Sequence, residues 1–177
     1  MHEFAVLLGF DKDSENAILS LQNEVGIAIG NTFMADNQML PHITLSLFTS
    51  EHPEECARIV EAFAAGGIDF SIRLGSVGVF NTALPVVNLL PVVTKELLAL
   101  HDDLILQLTP IASDFQSYYL QPDWIPHCSA AINIEPDHLG AAVEAVCARF
   151  SPRDVHISYV SLAECCPYRE SGRWLVK

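Results

Sequence analysis

The stretch "PHITLSLF", residues 41 to 48, alternates apolar and polar side chains as a half-buried strand does, and its first side chain after the proline is a histidine. The stretch "PHCSAAIN", residues 126 to 133, repeats this arrangement. In both stretches a proline precedes the histidine and a hydroxyl side chain follows it two residues later. One His-x-Thr or His-x-Ser carries little information, but a matched pair in two predicted strands indicates that both motifs contribute to one functional site.

Side chains two residues apart on a strand share one face of the sheet. In the first stretch this predicts that His42, Thr44 and Ser46 lie together, and in the second stretch that His127 and Ser129 do. The apolar residues between them are expected to pack against helices. Each polar face then carries one imidazole and one hydroxyl, about 6 to 7 Å apart along the strand.

Two such faces that meet across a cleft would bring two imidazoles and two hydroxyls to one small volume. One neutral histidine can take a proton from an attacking water or hydroxyl, and the other, protonated, can give one to the leaving oxygen. The hydroxyls can donate to non-bridging phosphate oxygens as charge builds on them. This set of groups predicts attack on a phosphodiester without a metal or another cofactor.

The predicted elements run β-α-β-α-β twice, and the histidine-bearing strand holds the same place in each half. We therefore predict an α+β fold of two pseudo-symmetric lobes with a central cleft between their sheets. The whole chain, residues 1 to 177, is expected to form one domain. The first lobe should cover about residues 1 to 80 and the second about 84 to 177, with strand exchange between lobes allowed.

The composition limits the partners. The chain has 22 acidic and 9 basic residues, a net charge of −13, which argues against extensive nucleic-acid binding but allows a small anionic group to be held locally.

The first ten residues form too short an apolar run to span a bilayer and lack the basic segment of a signal peptide. The five cysteines, with Cys165 and Cys166 adjacent, have no metal or redox spacing. We expect a cytoplasmic monomer with reduced thiols and no membrane contact.

Several aromatic residues are further candidates for the cleft. Tyr118, Tyr119 and Trp124 precede the second histidine, where they could stack on a base or pack between the lobes. Phe48 ends the first histidine strand, and alternation predicts that it lines the cleft. A metal site is not predicted, because no His-x-x-x-His or similar ligand spacing occurs.

With these motifs the chain resembles the 2H phosphoesterase superfamily, which includes bacterial 2'-5' RNA ligases and cyclic phosphodiesterases. The resemblance is carried by "PHITL" at 41 to 45 and "WIPHCSAA" at 124 to 131, with the histidines 85 residues apart (127 − 42), and it extends over essentially the whole chain. It implies that His42 and His127 are the acid–base pair and that Thr44 and Ser129 hold the phosphate. The second motif has serine where threonine is commoner, which keeps the hydroxyl.

The resemblance implies a bilobal α+β fold and metal-independent hydrolysis, or reversible ligation, of 2',3'-cyclic or 2'-5' linkages. Our leading hypothesis is a phosphodiesterase that acts on a small 2',3'-cyclic or related nucleotide phosphate. The alternatives are a 2'-5' RNA ligase acting on RNA ends, a non-catalytic module that binds nucleotide phosphates, and a metal hydrolase. The substrate in every enzymatic case is a small nucleotide or an RNA-end phosphodiester.

Overall fold

A computed structural model describes residues 2–68, 70–165 and 168–176 of the chain. Within these ranges eight strands and five α-helices alternate along the chain, which confirms the predicted α+β class. In order they are β1 His2–Phe10, α1 Lys12–Ile29, α2 Phe33–Asp36, β2 His42–Ser50, α3 Pro53–Ala64, β3 Ser71–Phe80, β4 Val86–Pro91, α4 Lys95–Leu108, β5 Asp114–Phe115, β6 Cys128–Ala131, α5 Leu139–Arg149, β7 Arg153–Cys165 and β8 Tyr168–Leu175.

All pairs among these strands are antiparallel, in the order β5-β2-β1-β7-β3-β4-β6, with β8 also paired to β7. The 13-residue strand β7 joins two halves of the sheet. Its residues 153 to 156 pair with β3, and its residues 157 to 164 pair with β1. The division of the chain into lobes near residues 80 to 84 stays a prediction, and strand pairing crosses that point, since β3 lies beside β4 and β7 lies beside β1.

The helices form where capping residues and apolar spacing favour them. Asp11 accepts a hydrogen bond from the Ser14 backbone N–H at 2.8 Å at the start of α1, and hydrogen bonding from the Ser14 hydroxyl, together with this backbone bond, lowers the pKa of the Asp11 carboxyl. Thr94 caps α4 in the same way through the backbone N–H of Leu97, at 3.2 Å. None of the helices in the described part of the chain is both long and apolar enough to cross a membrane.

A β-bulge interrupts β2 directly after its His-x-Thr motif. Leu7 of β1 pairs with Thr44, whereas Val6 pairs with Ser46, so Leu45 is an extra residue without a partner. Since one extra residue reverses the alternation of faces, the side chains beyond it exchange sides. His42 and Thr44 remain partly exposed, while Ser46 is fully buried instead of sharing their face.

A second bulge lies at the matching place in β6. Asn88 of β4 pairs with Ser129, whereas Val87 pairs with Ala131, which leaves Ala130 as the extra residue. The extra residue follows the histidine by three positions in both strands. The two motifs therefore share a backbone irregularity as well as a residue pattern.

The bulge in β2 corrects the prediction for Phe48. Instead of lining the cleft, this side chain is 1% exposed and belongs to the main hydrophobic core. Its ring centroid lies 5.8 Å from that of Phe4 and 5.8 Å from that of Phe115. Simple alternation placed Phe48 on the wrong face because it did not include the extra residue at position 45.

Among the cysteines, Cys56 and Cys128 are small buried core residues with free thiols. Burial raises the pKa of the Cys128 thiol to about 12. Cys166, which the sequence analysis considered together with Cys165, lies outside the described residues.

Gly9 lies between the first histidine and a tyrosine in the sheet, because it pairs with His42 on one side and Tyr159 on the other. The Tyr159 ring covers Gly9 so closely that a Cβ at this position would overlap it. We expect Gly9→Ala to lower the free energy of unfolding by about 1–3 kcal/mol through overpacking. Urea denaturation measures the change.

Gly140→Ala is the matched control, because a Cβ there meets nothing within 4 Å and the residue lies in α5. Alanine favours a helix by up to about 1 kcal/mol over glycine, so this variant should be neutral or more stable. Equal unfolding free energies for the two variants would contradict the close contact between Tyr159 and Gly9.

Candidate active site

The two histidines of the motifs are held by the same hydrogen bond. Nδ1 of His42 donates to the carbonyl oxygen of Leu40 at 2.8 Å, and Nδ1 of His127 donates to the carbonyl oxygen of Ile125 at 2.8 Å. A carbonyl oxygen only accepts, so Nδ1 carries the proton in each ring and the lone pair of the neutral ring lies on Nε2. Both imidazoles are thereby fixed in one tautomer with Nε2 left for proton transfer.

The prolines of the motifs sit inside these short loops. Pro41 lies between Leu40 and His42, and Pro126 holds the same place before His127. Both prolines are buried, and their fixed φ restricts the turn that brings the carbonyl back to the imidazole. The proline before each histidine thus helps to orient the imidazole ring.

Electrostatic interaction links the two imidazoles. Burial lowers the pKa of His42 and of His127 below the ordinary value of 6.5, and the positive charge of His127 lowers the pKa of His42 further. Strands β2 and β6 also approach to within 8 Å between Cα atoms, although they do not pair. The structure therefore brings the two motifs into one region from different parts of the sheet.

Thr44 is held by residues that come from the segment before the second motif. Trp124 donates a hydrogen bond from Nε1 to the Thr44 carbonyl oxygen at 3.2 Å. The hydroxyl groups of Tyr119 and Thr44 interact, and burial raises the pKa of Tyr119. The segment 119 to 124 thus connects the first hydroxyl directly to the second histidine strand.

His101 of α4 supports this connection from the core. Its imidazole is 1% exposed and stacks on Trp124 with ring centroids 3.9 Å apart, at an angle of 13°. Its Nε2–H donates to the Tyr119 carbonyl oxygen at 2.9 Å. Burial lowers the pKa of His101, so the ring is neutral in the folded protein.

Ser129 is positioned by two polar residues that the sequence analysis did not select. Its Oγ donates to Oδ1 of Asn88 at 3.1 Å, and its carbonyl oxygen accepts from Nε2 of Gln22 at 2.8 Å. Asn88 is completely buried and Gln22 is 5% exposed. The sequence signal for Asn88 was its single polar side chain within the apolar run "VVNLLP" of β4.

The aromatic candidates divide between the core and the surface. Trp124 is 6% exposed and packs on His101, and Tyr119 is half-buried. Tyr118 is 56% exposed, with its ring centroid 5.0 Å from that of Tyr119. Phe80, which was not predicted, places its ring against that of His127 at 4.6 Å and 76°, so it shapes the second half of the site.

A cavity of about 690 Å³ opens beside His42. Its other walls come from the segment 33 to 40, which contains α2, and from β8. The lining residues besides His42 are Phe33, Asn37, Gln38, Met39, Leu40, Tyr168, Glu170 and Arg173. This volume lies in the range of roughly 300–1,000 Å³ that is typical of small-molecule sites.

Within residues 2–68, 70–165 and 168–176, no cluster of three or more histidine, cysteine or carboxylate side chains has the arrangement of a metal site. The structure brings the two imidazoles, in matched tautomers, into one region, and His42 lies beside a cavity whose lining does not include Thr44, His127 or Ser129.

Comparison with known proteins identifies the family of the chain. The family model of the 2'-5' RNA ligase superfamily matches residues 30–164, so the chain belongs to that superfamily, the 2H phosphoesterases. This confirms the resemblance stated from the two histidine motifs. A search of curated proteins found no match.

Solved structures show the same fold over almost the full chain. E. coli LigT complexed with 3'-AMP aligns with a TM-score of 0.63 at 14% identity, over 99% of this chain and 98% of that one. TT0787 of Thermus thermophilus aligns with a TM-score of 0.62 at 15% identity, over 98% of this chain and 97% of that one. E. coli LigT complexed with NADP+ gives 0.60 at 15% identity, over 99% and 98%.

Replacing His101 tests the support behind Thr44. We expect His101→Ala to lower the free energy of unfolding by about 3 kcal/mol, because it removes a buried ring stack and a buried hydrogen bond. The loss should be largest at neutral pH. Below the ordinary histidine pKa of 6.5 the unfolded chain binds a proton that the folded protein does not, so the contribution of His101 falls with pH.

Urea denaturation at several pH values measures this effect. His138→Ala is the control, since His138 is exposed, and the change should stay below about 0.5 kcal/mol. A His101→Ala variant as stable as the wild type would show that the stack on Trp124 contributes nothing to the fold.

Proposed function

We propose that the protein is a metal-independent phosphodiesterase that hydrolyses 2',3'-cyclic or related small nucleotide phosphodiesters. The observation that carries the proposal is the matched pair of imidazoles, each with Nδ1 bonded to a carbonyl and Nε2 left for chemistry. Two such groups are what general acid–base attack on a phosphodiester requires.

The proton balance of the reaction uses both rings. Neutral Nε2 of one histidine takes a proton from water as the water oxygen forms a bond to phosphorus. The protonated Nε2 of the other gives its proton to the ribose oxygen as the P–O bond to that oxygen breaks. The products are a nucleoside 2'- or 3'-monophosphate and an enzyme in which the two protonation states are exchanged.

The hydroxyls of Thr44 and Ser129 donate hydrogen bonds to the non-bridging phosphate oxygens, on which negative charge builds during the reaction. In the structure, the Ser129 hydroxyl donates a hydrogen bond to Oδ1 of Asn88. Rotation of the Asn88 amide by half a turn would make Nδ2 the donor to Ser129 and free the hydroxyl proton for the phosphate. Asn88 therefore has a positioning role in this proposal.

The structural neighbours support a small substrate. E. coli LigT has been solved with 3'-AMP and with phosphate, a nucleoside monophosphate of the product class proposed here and its inorganic fragment. The 690 Å³ cavity beside His42 has room for a nucleotide. We also propose that the protein works as a monomer in the cytoplasm, where the buried thiols of Cys56 and Cys128 stay reduced.

A second candidate is 2'-5' ligation of RNA ends, which the name of the family model favours. The same site would serve, with a ribose hydroxyl in place of the attacking water. The net charge of −13, with only 9 basic residues in the chain, weighs against a long RNA. Salt-sensitive binding of tRNA-sized RNA would support ligation over hydrolysis of small nucleotides.

Substitution of either histidine tests the proposed roles. We expect His42→Ala and His127→Ala each to lower kcat/KM for 2',3'-cyclic nucleotides by about 10²–10⁴-fold, because each removes one proton-transfer group. The assay contains EDTA, and turnover should resist it. His52→Ala is the control, since this exposed histidine makes no side-chain cap to α3 and lies outside the cavity. Wild-type rates in either motif variant would refute the assignment.

The pH dependence follows from the shifted histidines. Turnover needs one neutral and one protonated imidazole, so kcat/KM is greatest between the two pKa values of the free enzyme. Burial places both values below 6.5, and the maximum should therefore lie on the acid side of pH 6.5. The rate falls toward neutral pH as the acid loses its proton. An optimum above pH 7 in a kcat/KM profile would contradict the burial of these rings.

A further inference from the structure

Arg173 lines the cavity beside His42, and its guanidinium contacts two neighbours. Its Cζ lies 4.3 Å from the centroid of the Tyr159 ring. Its Nε and Nη2 bind the Glu170 carboxylate, with Nη2 at 2.7 Å from Oε2. Tyr159 is 7% exposed, and the guanidinium of Arg173 covers one face of its ring, while Arg173 itself lines the cavity.

The charge of Arg173 is already balanced. Glu170 binds it in a bidentate manner, and the nearly buried carboxylate of Glu15 also lies in electrostatic range. A second phosphate of the substrate would meet the Glu170 carboxylate, which lines the cavity beside the guanidinium. The cavity around Arg173 therefore suits a neutral group better than another anion.

The remaining walls favour a flat apolar group. Phe33 and Tyr168 line the same cavity and are 40% and 66% exposed. Aromatic rings and a flat guanidinium both bind nucleobases by stacking, whichever base is present. His42 lies in the wall of this cavity, where the phosphate would be attacked.

We propose that Arg173, backed by Tyr159, is a stacking platform for the nucleobase of the substrate, with Phe33 and Tyr168 as the other walls of the base site. This inference rests on the proposed function and narrows its substrate class. The substrate is a nucleoside cyclic monophosphate without a second phosphate group. Arg173 then determines specificity and takes no part in proton transfer.

Three substrates distinguish the effect of the base on kcat/KM from the effect of a second phosphate. They are adenosine 2',3'-cyclic phosphate, the same compound with a 5'-phosphate, and the cyclic phosphate of 1-O-methylribose, which has no base. The measured quantity is the ratio of kcat/KM for the nucleoside to kcat/KM for the base-free compound. In Arg173→Ala we expect this ratio to fall by about 10-fold, the usual scale of one stacking contact.

Arg173→Lys distinguishes stacking from charge, because lysine keeps the charge and loses the flat surface. The ratio should fall in this variant as it does in Arg173→Ala, and the added 5'-phosphate should not raise kcat/KM in the wild type. The matched control is Arg169→Ala in the same strand, whose guanidinium pairs with Glu164 and does not line the cavity. It should keep the wild-type ratio.

Two results would overturn the base site. An unchanged ratio in Arg173→Ala would show that the base is not bound there. A wild-type ratio in Arg173→Lys, together with a gain from the 5'-phosphate, would show that Arg173 binds a second phosphate. If the wild type turns over none of the compounds, the proposed hydrolysis fails. The base site is then tested by calorimetry. The measured quantity is the ratio of the affinity for 3'-AMP to the affinity for 1-O-methylribose 3-phosphate, and Arg173→Ala should lower this ratio while Arg169→Ala should not.

Discussion

The extra residue in each histidine strand determines which side chains reach the site. Without Leu45 in β2, alternation would carry the polar face of the motif on to Phe48 and would leave an apolar ring in the cleft. With it, Ser46 and Phe48 lie in the interior, and the partly buried Leu47 and Thr49 follow Thr44 instead. The bulge therefore ends the polar face of the first motif after two residues and keeps Phe48 in the hydrophobic core.

The same bulge at Ala130 gives the second motif the backbone of the first. In each motif Nδ1 donates to a carbonyl two residues before the histidine, whereas the partner of the hydroxyl comes from a distant part of the chain. The partners differ between the halves. Thr44 is held by Trp124 and Tyr119, whereas Ser129 is held by Asn88. The symmetry thus lies in the backbone and the motif residues, and the supporting residues are specific to each half.

How much of this was predictable from the sequence depends on the range of the interaction. The strand alternation around His42 and the α+β class follow from local patterns, and the structure agrees with both. The bulge at Leu45 leaves no local signal, since an apolar residue suits either register, and Phe48 was misplaced for that reason. Arg173 was missed because its relation to His42 depends on β8 pairing with β7 across the whole fold.

Charge distribution connects the site to the rest of the molecule. The proposed function requires a chain with a net charge of −13 to hold an anionic phosphate without help from a basic surface. In the described region Arg173 is the only lysine or arginine that lines the cavity with His42, and Glu170 already neutralises it. In the proposed function, attraction for the phosphate therefore comes from the protonated imidazole and the hydroxyl donors at the two motifs. Such short-range donors act on one phosphorus centre at a time, which makes the acidic surface compatible with a small substrate.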